Sequence, residues 1–517
     1  MTSLTISSRF AASRVDRIWL TSTLIAGALV GCVAATRLAL AAGALTAPWA
    51  WDYAEPIVYA QAARLVGGQV LYAPVGTPPL TVTAYTPLYY FAAGGLQAMF
   101  GPGLWTGRAL SYVAALVCAV CIGRMTYEQV RSRWAALVAV GLFLGPGFSG
   151  SVPWYALYRV DLLGVAFALA AICVLCCAAA SRRTLVLAGA LAGLALLTKQ
   201  SLFAALVAGT LWLGRRSKAD AGAFAAAALL TVGIPCVAVA LSQPAFFENT
   251  IVANVNPIAP SQVGFLWPAL ESSLGPSMLL AALYVLPVPQ PRPRWSRTTN
   301  LIVLYWALSA MWLLGLLKFG AFYNYWIELA APTAVLAATS IWVIGESYRD
   351  VTSRVMACVP VWLLILDLVW IGSTYVGSIP GSIQDLRDMP RRTEFDQLVQ
   401  RVRDEPGPVL AEPMDVVALA GRQLDLEPVI FGILQRQGTW DPQPLVSSIC
   451  AGDVHLLILE LPLTRLAEYA PFGVPWWPEP VVRALQARMV QSDTQAARFI
   501  YTPSAQGQRI VGSNVCA

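Results

Sequence analysis

Residues 47–72 read APWAWDYAEPIVYAQAARLVGGQVLY, and the fold is decided by how they are read: an apolar run ends just before them and two carboxylates, Asp52 and Glu55, follow at once. The preceding run, 18–42, is long enough to cross a bilayer, since a spanning helix needs about 20 mostly apolar residues. The two carboxylates therefore stand just beyond the end of a membrane span, and what gathers around them bears on function.

Outward from this stretch the apolar pattern recurs. The chain is 57% hydrophobic and 12% charged, with a mean hydropathy of +0.62, the composition of an integral membrane protein. About eleven segments read as spans, some of them short, at 18–42, 104–124, 134–150, 160–180, 184–198, 201–214, 221–241, 265–287, 299–318, 325–345 and 355–376. The stretch beyond 381 is polar enough to fold in water.

Orientation follows from the basic loops. Arg124, Arg131 and Arg133, then Arg182 and Arg183, then Arg215, Arg216 and Lys218, then Arg292, Arg294 and Arg297, then Arg349 and Arg354 occupy every second loop, which places those loops in the cytoplasm. Arg9, Arg14 and Arg17 precede the first run as in a signal peptide, but that run is too long and lacks a clear small-residue cleavage site, so it reads as a retained start-transfer helix. With the N-terminus inside, an odd number of spans puts the C-terminal part outside. The expected location is the bacterial inner membrane. The net charge of +6 is then a topology signal, and no basic patch interleaved with aromatics points to nucleic acid.

Sorted by this topology, the remaining polar groups collect on the outer side. The 43–103 segment becomes a large external loop carrying Asp52 and Glu55. YALYRVDLLG puts Arg159 and Asp161 at the outer end of the fourth span, and LLTKQSLF puts Lys199 and Gln200 at the turn between two short spans. KFGAFYNYWIELAAP puts Lys318, Tyr323, Asn324 and Glu328 at the start of the tenth. Spans of about 15 residues reach only about 22 Å at 1.5 Å per residue, so the turn at Lys199 is expected to sit below the outer surface, where a cation is tolerated if an anion visits it. Ionisable groups from separate loops on one side imply a shared external cavity.

Other chemistries find little support. The single histidine, His455, lies in the C-terminal part, which leaves a histidine metal centre or a Ser-His-Asp triad nothing to stand on within the spans. Gly-rich phosphate fingerprints are absent, against direct use of a nucleotide sugar. Of the ten cysteines, Cys118, Cys121, Cys173, Cys176 and Cys177 fall inside apolar runs as small apolar residues, whereas Cys450 and Cys516 lie outside, where they are free to form a disulfide.

Four pieces together resemble the GT-C class of polyprenyl-phosphate-sugar glycosyltransferases, similar to protein O-mannosyltransferases and lipid A aminoarabinose transferases: WDYAEPIVYAQAARLVGGQVLY, YTPLYYFAAGGLQAMFGPGLWTGRALS, LLTKQ and FYNYWIELAAP, in that order and on one side. The resemblance covers residues 15–380. It implies an α-helical polytopic fold with a large first external loop, a lipid-phosphate-linked sugar as donor, and a glycan, lipid or protein as acceptor. Asp52 matches the family's catalytic aspartate, a general base for transfer with inversion. Lys199 matches a lysine at a similar turn, implied to hold the donor phosphate with Arg159 as a second cation. Tyr85, Asp161, Gln200, Tyr323, Asn324 and Glu328 are the expected wall of the substrate site. Glu55 departs from the adjacent acidic residues of many relatives; orienting the acceptor, binding a divalent cation or raising the pKa of Asp52 all stay open for it.

The C-terminal part, 381–517, alternates PGPVLAE, DVVALAGRQ, HLLILEL, PEPVVRALQARM and ARFIYTPS, the pattern of a small external α/β domain that would cap the cavity or bind the acceptor. Two function classes are therefore carried forward, the glycosyltransferase and a polytopic transporter or lipid flippase. Transporters favour internal repeats and midplane polar groups, and neither pattern is present here.

Overall fold

The computed structural model describes residues 14–148, 152–179, 181–285, 296–347, 358–359, 361–366, 368–370, 383–385, 387–504 and 516. Up to residue 347 its α-helices in chain order are α1 (Arg14–Ala44), α2 (Glu55–Val66), α3 (Leu88–Phe100), α4 (Trp105–Val130), α5 (Arg133–Leu144), α6 (Asp161–Cys177), α7 (Arg182–Thr198), α8 (Ala204–Gly214), α9 (Lys218–Ser242), α10 (Phe246–Thr250), α11 (Pro260–Val285), α12 (Arg297–Met311) and α13 (Ile327–Ser347).

The segments expected to span fall on α1, α4 to α9 and α11 to α13, with bounds shifted by a few residues. Among the described residues five stretches are long and apolar enough to cross a membrane: Ile18–Ala44, Trp105–Val130, Lys218–Ser242, Arg297–Leu317 and Tyr323–Ile344. The rest are shorter or less apolar, as some of the roughly eleven expected spans were read to be, and five of the eleven meet the full length and hydropathy of a span. The segment at 355–376 lies largely outside the described residues, as do Arg9, Arg292, Arg294, Arg349 and Arg354.

Burial separates two kinds of helix. In α9 only 11% of the apolar window is buried, and Leu229, Leu230, Ile234 and Val237 are exposed, an arrangement that is stable only against lipid. In the stretch Tyr323–Ile344, which takes in most of α13, the buried share is 89%, and Val335, Leu336 and Ile341 of α13 sit in a core with α1, α4, α5 and α6. The chain is an integral membrane protein with a helix bundle around α13.

Local chemistry ends these helices where the site begins. In α7 the Ser181 side chain accepts from Thr184 N while the Thr184 side chain accepts from Ser181 N, a capping box, and the helix stops at Lys199, whose backbone is extended. In α6, Asp161 occupies the first turn, where a carboxylate suits the positive helix end. Gly164 on α6 lies against Leu202 and Thr198, and a Cβ there would overlap Leu202, so glycine permits this close approach to the Lys199 turn.

The C-terminal residues form a four-stranded sheet of order β1-β2-β4-β3, with β1 Val409–Glu412, β2 Leu456–Leu459, β3 Met489–Gln495 and β4 Arg498–Pro503. β1 and β2 are parallel; β2 with β4 and β3 with β4 are antiparallel. Cys450 and Cys516 are joined as a disulfide with Cα atoms 5.3 Å apart. This part docks on the external loop expected at 43–103. Glu427 N donates to Leu80 O at 2.8 Å, Val82 N donates to Glu427 Oε2 at 3.0 Å, and Ala50 N donates to Asp415 Oδ2 at 3.0 Å. Trp49, Tyr59 and Ala62 share one apolar core with Phe395, Leu398, Val402 and Val416. The loop and the C-terminal part bury their apolar surface against each other.

Candidate active site

Asp52 lies between α1 and α2. Its Oδ1 accepts from Ala54 N at 3.1 Å and from Arg159 Nη1 at 2.8 Å. Burial raises its pKa above the ordinary 3.8, more than Arg159 lowers it, and the Glu55 charge adds to the rise.

Arg159 follows the short 3₁₀ turn Trp154–Ala156. Its guanidinium lies over the Trp154 ring, 5.3 Å from the centroid, and reaches the Tyr85 hydroxyl at 3.4 Å. Asp161 Oδ1 accepts from Lys199 Nζ at 2.6 Å and from Asn324 Nδ2 at 2.9 Å, while Oδ2 accepts from Trp154 Nε1 at 3.2 Å. Lys199 Nζ in turn stands 5.9 Å from the Tyr85 ring centroid and 5.5 Å from that of Tyr325. Charges therefore alternate through Asp52, Arg159, Asp161 and Lys199, with every side chain largely buried. A cation held this way keeps its charge without water.

Arg159 and Asp161 were both expected at the outer end of the fourth span. Arg159 instead precedes the helix, and the two approach at 3.6 Å while each keeps its shorter pair with another residue. Nearby, Lys318 Nζ donates to Asn254 Oδ1, a neutral partner, at 3.2 Å.

Glu55 sits apart from this row. Its Oε1 accepts from Arg108 Nε at 2.8 Å and Tyr158 N at 2.7 Å, and its Oε2 accepts from Arg108 Nη2 at 2.9 Å and Trp51 N at 2.7 Å. Four donors fill a carboxylate's lone-pair sites, and Glu55 and Arg108 are fully buried. Arg108 spends its other bonds on the carbonyls of Ala44, Ala47 and Trp49, tying the end of α1 to the start of α2. Gly107 makes room for this, because a Cβ there would overlap the Tyr158 ring. A divalent cation shared by Asp52 and Glu55 has no free Glu55 oxygen to bind, and among the described residues no group of three or more His, Cys, Asp or Glu is placed to hold a metal.

The other expected residues divide. Asp52, Tyr85, Arg159, Asp161, Lys199 and Asn324 come together. Gln200 Nε2 donates to the carbonyls of Ala84 and Thr250, and Glu328 Oε1 accepts from the Tyr305 hydroxyl at 3.1 Å. Tyr323 packs its ring on Phe322, Trp326 and Trp154. Sequence reasoning missed Arg108, Trp154 and Tyr325. Arg108 carried a signal, as an arginine inside the apolar run of α4.

Asp52 also lines a cavity of about 490 Å³ between the 43–103 loop and the C-terminal sheet. Its walls come from Trp51 and Tyr53 on one side and Glu412, Glu460, Tyr469 and Trp476 on the other.

No protein-family model matches the chain, and no curated protein matches its sequence. Solved structures do match. The crystal structure of ArnT from Cupriavidus metallidurans bound to undecaprenyl phosphate aligns with a TM-score of 0.58 and 13% identity, over 92% of this chain and 98% of that one. The same protein in the apo state gives 0.58 and 13%, over 91% and 97%. At this identity the likeness is one of fold, and it extends over most of both chains. The fold is that of the GT-C glycosyltransferases.

Proposed function

We propose that this protein is a glycosyltransferase that moves a sugar from a polyprenyl-phosphate donor to an acceptor hydroxyl on the non-cytoplasmic face of the bacterial inner membrane. The observation that carries the reading is the position of Asp52, with a buried row of cations on one side and a cavity on the other. Transfer with inversion needs both. Asp52 takes the proton of the acceptor hydroxyl as its oxygen bonds the anomeric carbon, and the bond from that carbon to the phosphate oxygen breaks with its electron pair leaving on phosphate. Arg159 and Lys199, with Lys318 behind them, stabilise the charge that develops there.

Asp161 is a positioning residue that holds Lys199 and Asn324. Glu55 holds the loop that carries Asp52 and does not touch substrate. Residues 1–380 form the membrane domain in this reading, and 381–517 the external one. The ArnT structure in complex with undecaprenyl phosphate supports a lipid-phosphate donor through its fold. The test is transfer of labelled sugar from a purified polyprenyl-phosphate donor by the protein in nanodiscs, with Lys199→Ala and Arg159→Ala beside the wild type. Both variants should lose transfer and retain less donor; undiminished transfer by both would remove the phosphate-binding assignment.

A further inference from the structure

The cavity beside Asp52 has a charge character opposite to that of the donor side. Among the described residues its lining contains Asp52, Glu412 and Glu460 and no lysine or arginine; Arg159, Lys199 and Lys318 are not in its walls. The arginines whose charges reach Glu460 are already committed, Arg498 to Asp415 at 3.0 Å and Arg391 to Asp385 at 2.9 Å. Glu412 and Glu460 stand at the carboxyl ends of the parallel strands β1 and β2, so the sheet presents both from one edge.

The rest of the lining is aromatic. The Trp476 ring packs edge-to-face on Tyr53 at 5.3 Å and on Tyr469 at 5.1 Å. The Nε1 atoms of Trp51 and Trp476 are buried without a hydrogen-bond partner among the described residues, although each could donate. The Trp477 indole, by contrast, donates to Glu412. At about 490 Å³ the cavity falls within the span of small-molecule sites, roughly 300–1,000 Å³.

Carboxylates accept, indole N–H groups donate, and ring faces pack against C–H surfaces; a saccharide offers hydroxyls to the first two and an apolar ring face to the third. A phosphate or carboxylate brought here would meet three carboxyl groups in the lining, and the cation beside them, Arg159, is already paired with Asp52 at 2.8 Å. We propose that this cavity is the acceptor subsite, and that it takes a saccharide without anionic groups, held by Glu412, Glu460 and Trp476 of the C-terminal sheet region with its hydroxyl presented to Asp52. This rests on the transferase reading above and adds the acceptor's chemical class. Asp52 then stands at the boundary between an anion-holding side and an anion-excluding side.

The test is retention of the purified full-length protein on an array of immobilised glycans that are neutral, amine-bearing, or substituted with phosphate or carboxylate. Undecaprenyl phosphate binding is measured separately on the same preparations. The wild type should be retained on neutral or amine-bearing glycans and not on the anionic ones. Combined Glu412→Gln and Glu460→Gln should lower retention by about tenfold or more, with undecaprenyl phosphate binding and melting temperature unchanged. Glu460 is exposed, so Glu460→Arg folds, and it should extend retention to phosphate-bearing glycans. Preference of the wild type for anionic glycans, retention on none, or retention unchanged by both variants would overturn the proposal. Loss of undecaprenyl phosphate binding with glycan retention intact would instead count against the donor assignment alone.

Discussion

Two carboxylates three residues apart have been drawn into different work. Glu55 is matched by Arg108, 53 residues away, in a fully buried pair that fixes the loop between α1 and α2. Removing one partner of such a pair leaves an uncompensated buried charge, at a cost of about 3–5 kcal/mol. Glu55→Gln is therefore expected to lower the melting temperature clearly and to reduce transfer in proportion to the folded protein lost. A melting curve equal to wild type with transfer abolished would show that Glu55 acts on substrate. Asp52 is under different constraints, since burial lifts its pKa above the ordinary carboxylate value. A general base works only when deprotonated, so transfer should fall on the acid side and its midpoint should lie above 3.8. A pH–rate profile in nanodiscs checks this, and an acid limb at or below the ordinary value would contradict it.

At the scale of elements, the site is assembled by helix ends. The extended backbone after α7 delivers Lys199, the first turn of α6 delivers Asp161, and the 3₁₀ turn before α6 delivers Trp154 and, three residues past its end, Arg159. If Lys199 holds the donor phosphate as proposed, Lys199→Ala removes a charge-assisted contact of typically about 1.5–3 kcal/mol, so undecaprenyl phosphate binding should weaken by one to two orders of magnitude. Equal binding by the variant would mean that Lys199 serves only Asp161. Arg159, Asp161 and Lys199 were legible because an ionisable group beside an apolar run stands out against its neighbours. Arg108 was not, because its partner lies on another element and only the folded chain shows which buried charge it answers. Strand β3, MVQSDTQ, was also missed: most of its residues are exposed, so it carries no apolar alternation, and only its pairing with β4 holds it.

For the whole molecule, the apolar helices, their order and the segments of β1, β2 and β4 could be read from the apolar pattern. How the sheet meets the membrane part could not. Glu412 and Glu460 face Asp52 across a join made by contacts hundreds of residues apart, of which Ala50 with Asp415 is one. The basic-loop pattern makes a separate prediction: a single cysteine near Gln69 should react with an impermeant thiol reagent in intact cells, and one near Arg297 should be protected. The reverse labelling would invert the topology and the placement of the site. Cys450 and Cys516 should be recovered as one linked peptide pair from non-reduced protein, and two free thiols would contradict the bond seen here.

The central claim is that Asp52 takes the acceptor's proton. Asp52→Asn keeps the shape of the side chain and removes its basicity, and loss of general-base catalysis typically costs about 10²–10⁴ in rate. The decisive measurement is the rate of sugar transfer from a purified polyprenyl-phosphate donor by Asp52→Asn in nanodiscs, with melting temperature and donor binding followed on the same sample. If Asp52 is the general base, the variant should keep its fold, melting temperature and donor binding close to wild type and lose at least about a hundredfold in transfer; wild-type transfer by a folded Asp52→Asn protein would rule that role out.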